Sequence, residues 1–315
     1  MSGYAYIANS SGPVSVIDTA SNTVTATITV GTGPSGVAVR PDGGYAYVTN
    51  NNSGNVSVID TSNNTVVATI TVGTTPLGPA VTPDGSLLYV ANLGSSNVSV
   101  IDTATKTVTA TVTVANNPTC IAVTPNGLYA YVANKAGLNV SVIDVATNTV
   151  SATISVGNFP FGIAITPDGR SAYVCNEASS SDSVSVIDIA TNTVTATVTV
   201  GSLPFCVSIT PDSKFAYVTN SNDGTVSVIQ TSNNTVTATI TVGTNPIGIC
   251  ITASGANAYV CNANSDNVSV IDIATNVVTA TITVGTAPET YGAFIQFTPY
   301  GGGSVVNSIS EWFGT

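Results

Sequence analysis

The pentapeptide AYVTN at residues 46–50 occurs seven times in the chain with small changes. Three other phrases keep the same spacing: VSVID (56–60), TVTATITVG (23–31) and GVAVRPDG (36–43). A period of about 42 residues along nearly the whole chain indicates a tandem-repeat architecture. The tyrosines that mark the period are Tyr6, Tyr47, Tyr89, Tyr131, Tyr173, Tyr217 and Tyr259.

Each of the four phrases has the pattern of a short β-strand. In TVTATITV, apolar residues alternate with threonine, and β-branched residues favour extended backbone. The pattern predicts one apolar face, made of Val24, Ala26, Ile28 and Val30. Turn formers separate the strands, as in Pro-Asp-Gly at 41–43, where proline presets φ and glycine accepts positive φ. We name the strands a (GVAV), b (AYVTN), c (VSVI) and d (TVTATITV).

Four short strands in about 42 residues match one blade of a β-propeller, and a helical repeat does not fit the period. A β-solenoid is the alternative, but hairpin-linked strands suit a radial blade better. The sequence therefore predicts an all-β fold, a seven-bladed β-propeller with four antiparallel strands in each blade. The Trp-Asp dipeptide of one large propeller family is absent.

The two ends of the chain predict how the ring closes. The first unit begins directly at strand b, and a segment resembling strand a follows the last unit at 293–301. We expect this C-terminal strand to join the three N-terminal strands, because ring closure leaves no unpaired inner edge. The propeller then spans 1–301. Residues 302–315 form a C-terminal tail, either a linker to another domain, a strap on the propeller or a peptide that docks on a neighbouring protomer.

Composition excludes several classes of partner. The net charge is −11, and the five basic residues are dispersed, so nucleic-acid binding and attraction to an anionic membrane surface are not expected. No apolar run approaches the roughly 18 residues needed for membrane insertion as a helix. The start, MSGYAYIANS, lacks the regions of a secretory signal, so the protein is cytoplasmic or its address is missing from this sequence.

The combination of AYVTN, VSVID, TVTATITVG and the TPDG turn (82–85 and 166–169) resembles the YVTN family of seven-bladed propellers. The resemblance covers about residues 4–301. It implies a propeller similar to domains of archaeal cell-surface and surface-layer proteins. The shape is also similar to bacterial propellers of the lactonase and cytochrome d1 types. Such a resemblance predicts the fold far better than the function, because propellers host many functions.

The types of residue present in the chain argue against catalysis. The chain contains no histidine, which removes Ser-His-Asp and Cys-His catalysis and most haem or transition-metal ligation. A lactonase-like site is expected to need charged groups at the central channel. Arg40 follows one strand a, and threonine stands at the six matching positions. The sequence thus predicts no enzyme activity, no catalytic residue, no metal and no cofactor.

Three recurring residue types have a structural interpretation and a functional one. An aspartate ends nearly every strand c, as at Asp18, and favours a local turn role over a calcium site. An asparagine closes every AYVTN phrase, as at Asn50, and favours capping of the strand end over ligand binding. The five cysteines are expected to be buried thiols. A disulfide between Cys250 and Cys261, across a hairpin, is the alternative.

Variable loops point to a binding face. The d–a segments and the b–c loops share one face, which we call the loop face, and the a–b and c–d turns share the other, the turn face. Loops on a rigid scaffold commonly carry recognition. Apolar residues in the d–a segments of the last blades are either packing between blades or a binding patch, together with the closing segment. The candidate binding residues are Phe159, Phe161, Leu203, Phe205, Ile247, Glu289 and Tyr291.

From these observations we expect a non-enzymatic structural or binding propeller at the cell surface or outside the cell. Its loop face would meet a protein or glycan partner. A lactonase-like enzyme with a site at the central channel is one alternative, and an intracellular interaction scaffold is another. A cytoplasmic location stays open, as does contact with other domains or protomers through the tail.

Overall fold

The computed structural model describes residues 3–178 and 182–295, and within these residues the chain forms 27 β-strands. Helices long and apolar enough to cross a membrane are absent from the described part. The strands form seven antiparallel sheets, which we number as blades 1 to 7 in chain order.

The strand bounds by blade follow the predicted phrases. Blade 1 contains β1 (Tyr4–Ile7), β2 (Val14–Asp18) and β3 (Thr23–Ile28); blade 2 contains β4 (Pro34–Val39), β5 (Tyr45–Asn50), β6 (Asn55–Asp60) and β7 (Thr65–Thr71); blade 3 contains β8 (Pro76–Val81), β9 (Leu87–Asn92), β10 (Asn97–Asp102) and β11 (Thr107–Thr113); blade 4 contains β12 (Pro118–Val123), β13 (Tyr129–Asn134), β14 (Asn139–Asp144) and β15 (Thr149–Ser155). Blade 5 contains β16 (Pro160–Ile165), β17 (Ser171–Asn176), β18 (Ser183–Asp188) and β19 (Thr193–Thr199); blade 6 contains β20 (Pro204–Ile209), β21 (Phe215–Asn220), β22 (Thr225–Gln230) and β23 (Thr235–Thr241); blade 7 contains β24 (Pro246–Ile251), β25 (Asn257–Asn262), β26 (Asn267–Asp272) and β27 (Val277–Thr283).

This arrangement confirms the predicted seven-bladed propeller. Strands a lie next to one another around the axis and line the channel, and strands d lie at the rim. Strands b and c are buried on both faces, because each blade is covered by a neighbour on either side. Apolar clusters fill the spaces between blades. One of them joins Val58 and Ile70 of blade 2 to Leu88 and Ile101 of blade 3.

Strand d departs from the predicted alternation. Val24 pairs with Ile17 and Ala26 pairs with Val16, with a β-bulge between them, and the same bulge occurs in the other blades. Directly opposed residues share a face of the sheet, so Val24 and Ala26 project to opposite faces. The expectation of a single apolar face was therefore wrong for Val24, which is 37% exposed. The bulge increases the local twist of the outer strand.

The tyrosine of the AYVTN phrase connects each blade to the next. Its side chain is buried, and at six of the seven junctions its hydroxyl donates to the side-chain oxygen of an asparagine in the c–d turn of the following blade. The pairs are Tyr6–Asn64, Tyr89–Asn148, Tyr131–Asn192, Tyr173–Asn234, Tyr217–Asn276 and Tyr259–Asn22, with distances of 2.6–3.1 Å. The bond from Tyr259 crosses the seam between blades 7 and 1.

The junction between blades 2 and 3 is the exception. Lys106 occupies the turn position that is asparagine elsewhere, with φ of 58°. The buried Tyr47 hydroxyl has no hydrogen-bond partner within the described residues. Thr103 lies nearby but outside hydrogen-bond geometry with the Tyr47 phenol, and its hydroxyl donates to the carbonyls of Gly85 and Ser86. A buried hydroxyl without an acceptor costs stability at this junction.

We expect Lys106→Asn to raise the free energy of unfolding by about 1 kcal/mol, because it supplies the missing acceptor for Tyr47. Asparagine also tolerates positive φ better than lysine. The contact of the Lys106 ammonium with the Tyr45 ring, 5.0 Å from the ring centroid, is lost in the exchange and offsets a part of the gain. Urea unfolding at pH 7 measures the difference.

A matched pair of Tyr→Phe variants is the control. Tyr89→Phe removes a satisfied bond to Asn148 and should cost about 1 kcal/mol, whereas Tyr47→Phe should cost clearly less. Equal losses in the two variants would contradict the assignment.

The recurring asparagines and aspartates act locally, as the structural interpretation predicts. The buried Asn50 amide donates to the side chains of Asn55 and Ser57 and fixes the start of strand c. Asp18 accepts the backbone N–H groups of Ala20 and Ser21 and holds the c–d turn. These contacts recur around the ring. All five cysteines are buried and free, so the alternative of a Cys250–Cys261 disulfide is not realised.

The ring closes through residues 288–295. On one side, Glu289 N–H donates to the Ala8 carbonyl and Tyr6 N–H donates to the Phe294 carbonyl, which extends blade 1. On the other side, Val37 N–H donates to the Tyr291 carbonyl, and Gly36 and Tyr291 form a parallel bridge. The same segment therefore pairs with blades 1 and 2.

The closing segment differs from the predicted strand at 293–301. Its pairing begins at Pro288, opposite Asn9, and consists of isolated bridges in the described residues. Pro288 and Ile295 are seven positions apart, while the corresponding Pro34 and Val39 of blade 2 are five apart. Two inserted residues interrupt a regular strand and shift its start. The remainder of the predicted strand, 296–301, and the tail at 302–315 lie outside the described residues.

A chain that ends after Pro288 should lose cooperative folding. It lacks Phe294 and Ile295, which are fully or nearly fully buried and each contribute about 1.5–3 kcal/mol. It also exposes the edges of β1 and β4. A chain that ends after Gly301 keeps these contacts and should melt like the full-length protein. Thermal melts followed by circular dichroism compare the two, and a normal melt of the shorter chain would disprove this closure.

Candidate functional site

The residues at the channel mouth on the loop face are positioned by a repeated backbone turn. Each strand a, and the closing segment, begins at a proline, and the residue before that proline has φ of 51–65°. Its carbonyl accepts the N–H of the residue that follows the AYVTN phrase, as in Glu177 N–H to Phe159 and Lys135 N–H to Asn117. The turn therefore fixes the positions of two residues: the one that follows each proline and the one that follows each phrase asparagine.

These positions form two rings of side chains around the axis. The inner ring contains the residues after the prolines of strands a: Ser35, Leu77, Thr119, Phe161, Phe205 and Ile247. In the closing segment Thr290 takes this place, because its hydroxyl meets the Ala8 carbonyl as that of Thr119 meets the Ala133 carbonyl, and Glu289 is inserted before it. The outer ring contains the residues after the phrase asparagines: Ser10, Asn51, Leu93, Lys135, Glu177, Ser221 and Ala263. The charged residues are Lys135 and Glu177 in the outer ring and the inserted Glu289.

Three aromatic rings pack together at this mouth. The Phe161 and Phe205 centroids are 4.1 Å apart, and Tyr291 lies 5.3 Å from Phe161 with its ring nearly edge-on. Tyr291 comes from the closing segment beside blades 1 and 2, whereas the phenylalanines come from blades 5 and 6. Its side chain therefore reaches across the axis and narrows the channel on the loop face.

Beyond the aromatic rings, the channel is a cavity of about 500 Å³ lined by strands a. The lining reaches Pro167, Pro211 and Ala253 in the a–b turns, all three exposed, so the cavity opens on the turn face. The described lining contains three thiols but no Asp, Glu, Lys or Arg side chain. Polar chemistry therefore belongs to the mouth on the loop face and not to the channel wall.

Lys135 and Glu177 form an ion pair between blades 4 and 5. The Lys135 Nζ lies 2.6 Å from a Glu177 carboxylate oxygen and 5.4 Å from the centroid of the Phe161 ring. The Glu177 side chain is 16% exposed and that of Lys135 35%. An ammonium group has three donors, so Lys135 keeps donors for a second acceptor while it contacts the aromatic ring.

Glu289 and Tyr291 have perturbed acidities. Partial burial raises the pKa of the Glu289 carboxyl above its ordinary value. Glu289 takes part in none of the ion pairs found in the described residues. Burial, followed by the charges of Glu289 and other nearby groups including Glu177, raises the pKa of the Tyr291 hydroxyl well above its usual value. Tyr291 is therefore a neutral hydrogen-bond donor in the field of two carboxylates.

The structure brings some of the predicted binding residues together. Phe161, Ile247 and Tyr291 share one apolar cluster, against which the partly exposed Phe205 packs, and Glu289 precedes Tyr291 in the closing segment. Phe159 and Leu203 occupy the positive-φ positions before the prolines, outside that cluster. Phe159 is 47% exposed, on the rim of the mouth.

Sequence reasoning did not select Lys135 and Glu177. The signal was present, because they are the charged residues that follow an AYVTN asparagine and they are one repeat apart. Only the packing of adjacent blades shows that they pair with each other and with Phe161. No three or more His, Cys, Asp or Glu side chains in the described ranges are arranged to hold a metal ion.

The sequence of this chain matches the model of a known protein family. The family model described as "Lactonase, 7-bladed beta-propeller" matches residues 6–121 and 102–209, which together exceed half of the chain. The chain belongs to this lactonase family. No curated protein matches it significantly.

Solved structures support the propeller fold of this lactonase-family chain. Hydrazine synthase of Kuenenia stuttgartiensis is similar with a TM-score of 0.78 and 24% identity, over 86% of this chain and 92% of that one. A protein of unknown function from Desulfotomaculum acetoxidans has a TM-score of 0.79 and 18% identity, over 93% and 98%. A putative 6-phosphogluconolactonase from Bacteroides fragilis has a TM-score of 0.78 and 16% identity, over 92% and 97%.

The family match corrects the expectation of a non-enzymatic propeller: both the predicted structural or binding function and the predicted lack of enzyme activity were wrong. The error has a structural reason. Charged groups were sought at the channel ends of strands a, where Arg40 instead pairs with Asp42 on the turn face. In this lactonase-family chain, the ionisable side chains near the aromatic rings of the mouth are Lys135 and Glu177, which follow the AYVTN phrase, and Glu289 of the closing insertion.

We expect Glu289→Gln to stabilise the folded protein slightly at pH 7, by less than about 1 kcal/mol because the carboxylate is still partly hydrated. Its folded-state pKa is raised above the unfolded value. The stability from Glu289 is therefore fully present below the unfolded pKa and is lost as pH rises through the folded one. The gain in the variant should disappear below about pH 4.

Urea midpoints at pH 7 and pH 4 measure this effect. Glu177→Gln is the matched control, because it removes a carboxylate that is already paired with Lys135 and should not stabilise. A destabilised Glu289→Gln protein at pH 7 would contradict the electrostatic assignment of Glu289.

Proposed function

We propose that the protein hydrolyses a lactone at the channel mouth on the loop face, with Glu289 as the general base. The observation that carries this proposal is the partly buried Glu289 carboxylate, which has no ion-pair partner among the described residues and lies close enough to Tyr291 to act on its hydroxyl, while Tyr291 packs against Phe161 and Phe205. A carboxylate whose pKa is raised toward neutral pH is a better base at working pH than an ordinary one. Membership of the lactonase family supports the choice of reaction.

The aromatic rings give the substrate a place to bind. A lactone ring placed against Phe205, the partly exposed ring of the three, buries apolar surface and brings its carbonyl toward the charged groups. The Tyr291 phenol stays protonated at neutral pH and donates a hydrogen bond to the carbonyl oxygen. Both contacts orient the ester without requiring histidine.

Lys135 stabilises the charge that develops on the carbonyl oxygen. Glu177 holds the ammonium in place at 2.6 Å, and the Phe161 ring limits the water around it. A positioned cation in a partly dehydrated site stabilises an oxyanion far better than it does in bulk water. Glu177 is therefore a positioning residue, which acts through Lys135.

The proposed steps balance in protons and electrons. Glu289 accepts a proton from a water molecule while the water oxygen bonds to the lactone carbonyl carbon, and the π pair moves to the carbonyl oxygen. The tetrahedral intermediate collapses, the bond from the carbonyl carbon to the ring oxygen breaks, and Glu289 returns the proton to that oxygen. The product is a hydroxy acid, which ionises in solution.

Lactone hydrolysis measured by acid release from a panel of γ- and δ-lactones tests the proposal. We expect Glu289→Gln to lower kcat/KM by about 10²–10⁴-fold. Lys135→Met should lower it by about 100-fold. The wild-type kcat/KM should fall on acidification, with an apparent pKa above the ordinary value of 4.5, because the base must be ionised.

Asp212→Asn is the control, since it removes a carboxylate of a turn-face ion pair with Lys214. It should leave kcat/KM unchanged. Hydrolysis that is insensitive to Glu289→Gln would contradict the role of Glu289, and the absence of turnover with every lactone would contradict the proposed function.

We also propose that the protein works at the cell surface or outside the cell. The resemblance of its phrases to the YVTN family and to archaeal surface-layer proteins supports this location, as does a sequence with only 7% charged residues. Fractionation of the source cells with an antibody to the propeller tests it. The protein or glycan partner expected from the variable loops stays a prediction.

A further inference from the structure

Carboxylates outnumber cations on both faces of the propeller, because ten aspartates lie in the turns of the turn face, but the loop face has a single cation. Four of the five basic residues lie in turns of the turn face: Arg40, Lys106, Arg170 and Lys214. Lys135 is the one basic residue of the loop face. The described acidic residues of the loop face are Glu177, Asp182, Asp223, Asp266 and Glu289. The mouth of the channel is therefore in a negative electrostatic field.

The single cation at this mouth is already compensated. Lys135 pairs with Glu177 at 2.6 Å, and Glu289 adds a carboxylate that no described cation neutralises. An anionic substrate must share Lys135 with the Glu177 carboxylate and must also approach Glu289. Both requirements oppose a phosphate or carboxylate group on the substrate, because like charges at a partly desolvated site repel strongly.

Apolar side chains are concentrated at the same mouth, where Phe161 and Tyr291 are buried and Phe205 is partly exposed. Phe161, Phe205 and Tyr291 form its floor, and Leu93 packs against the same cluster from the outer ring. Phe159 is 47% exposed on the rim and is held at φ of 53°, a backbone region that bulky side chains rarely occupy. An apolar substituent of a bound molecule gains contact area here at no electrostatic cost.

We infer that the substrate is an uncharged lactone that carries an apolar substituent, and that the site rejects phosphorylated and carboxylated lactones. The inference rests on the proposed function and specifies its substrate class. The inferred substrate differs from a phosphorylated sugar lactone, the substrate implied by the name of the Bacteroides fragilis structure, a putative 6-phosphogluconolactonase. The distinguishing elements are the Glu177–Lys135 pair and the unpaired Glu289.

The kinetic experiment compares an alkyl-substituted δ-lactone with 6-phosphoglucono-δ-lactone. For each lactone, the measured kcat/KM is divided by the rate constant of its uncatalysed hydrolysis. We expect a preference of at least about tenfold for the alkyl lactone, which should shrink as added salt screens the mouth. An equal or higher value for the phosphorylated lactone would overturn the inference.

A charge variant tests the cause of the preference. Glu177→Gln leaves Lys135 unpaired, and the ratio of the two values should move about fivefold toward the phosphorylated lactone. Asp212→Asn, the turn-face control, removes the same charge at a distance and should leave the ratio unchanged. An unchanged ratio in Glu177→Gln would overturn the role of the ion pair in specificity.

Binding of lactams distinguishes failure of the inference from failure of the proposed reaction. Lactams resist hydrolysis, so calorimetry with the full-length protein reports affinity alone. Tighter binding of an alkyl δ-lactam than of a phosphorylated sugar lactam supports the substrate class even when no lactone is turned over. Tighter binding of the phosphorylated lactam, or binding of neither, overturns it.

Discussion

Every blade of this propeller depends on its neighbours. Strands b and c have two apolar faces, and a single blade cannot cover either face by itself, so both faces must pack against adjacent blades. The phrase tyrosine resolves this constraint in two ways. Its ring fills the space between blades, and its hydroxyl reaches the asparagine of the following c–d turn. A phenol buried in an apolar junction needs such an acceptor, so the tyrosine and the turn asparagine recur together. The constraint applies equally at the seam, where Tyr259 of blade 7 reaches Asn22 of blade 1.

Ring closure and the candidate site are properties of one segment. Residues 288–295 must pair with β1 to complete blade 1, and they also pair with β4 of blade 2. The two-residue insertion that permits this double pairing also places Tyr291 across the axis and Glu289 at the mouth. A regular strand a with one residue between proline and glycine would have closed the ring without them. The protein thus obtains the inserted carboxylate Glu289 from the place where the repeat is least regular.

The division between scaffold and site follows from the energetics of repeats. Positions that recur around the ring, such as the phrase asparagine in all seven blades and the strand-c aspartate in six, make the same local hydrogen bonds in successive blades. A reactive centre needs different groups converging on one point, and a ring of identical side chains does not provide them. Lys135 and Glu177 are the charged members of an otherwise uncharged outer ring, Glu289 is an inserted residue, and all three lie on the loop face. Departures from the repeat are consequently better indicators of chemistry than the repeat itself.

The sequence by itself determined the period, the four strands of each unit, the number of blades and the two faces, because these depend on local alternation and turn residues that recur in every copy. It also pointed to Phe161 and Phe205, as large apolar residues beside prolines, and to Tyr291, as part of the insertion in the closing segment. The bulge after Val24, the pairing of Lys135 with Glu177 and the start of closure at Pro288 were decided only by tertiary structure. The ion pair and the closure bring together chain segments that are one repeat or more apart. The bulge accompanies the twist of the outer strand. Residues 42 positions apart become neighbours only when blades pack, and Tyr291 meets Phe161 only because the ring brings opposite blades together across a narrow axis.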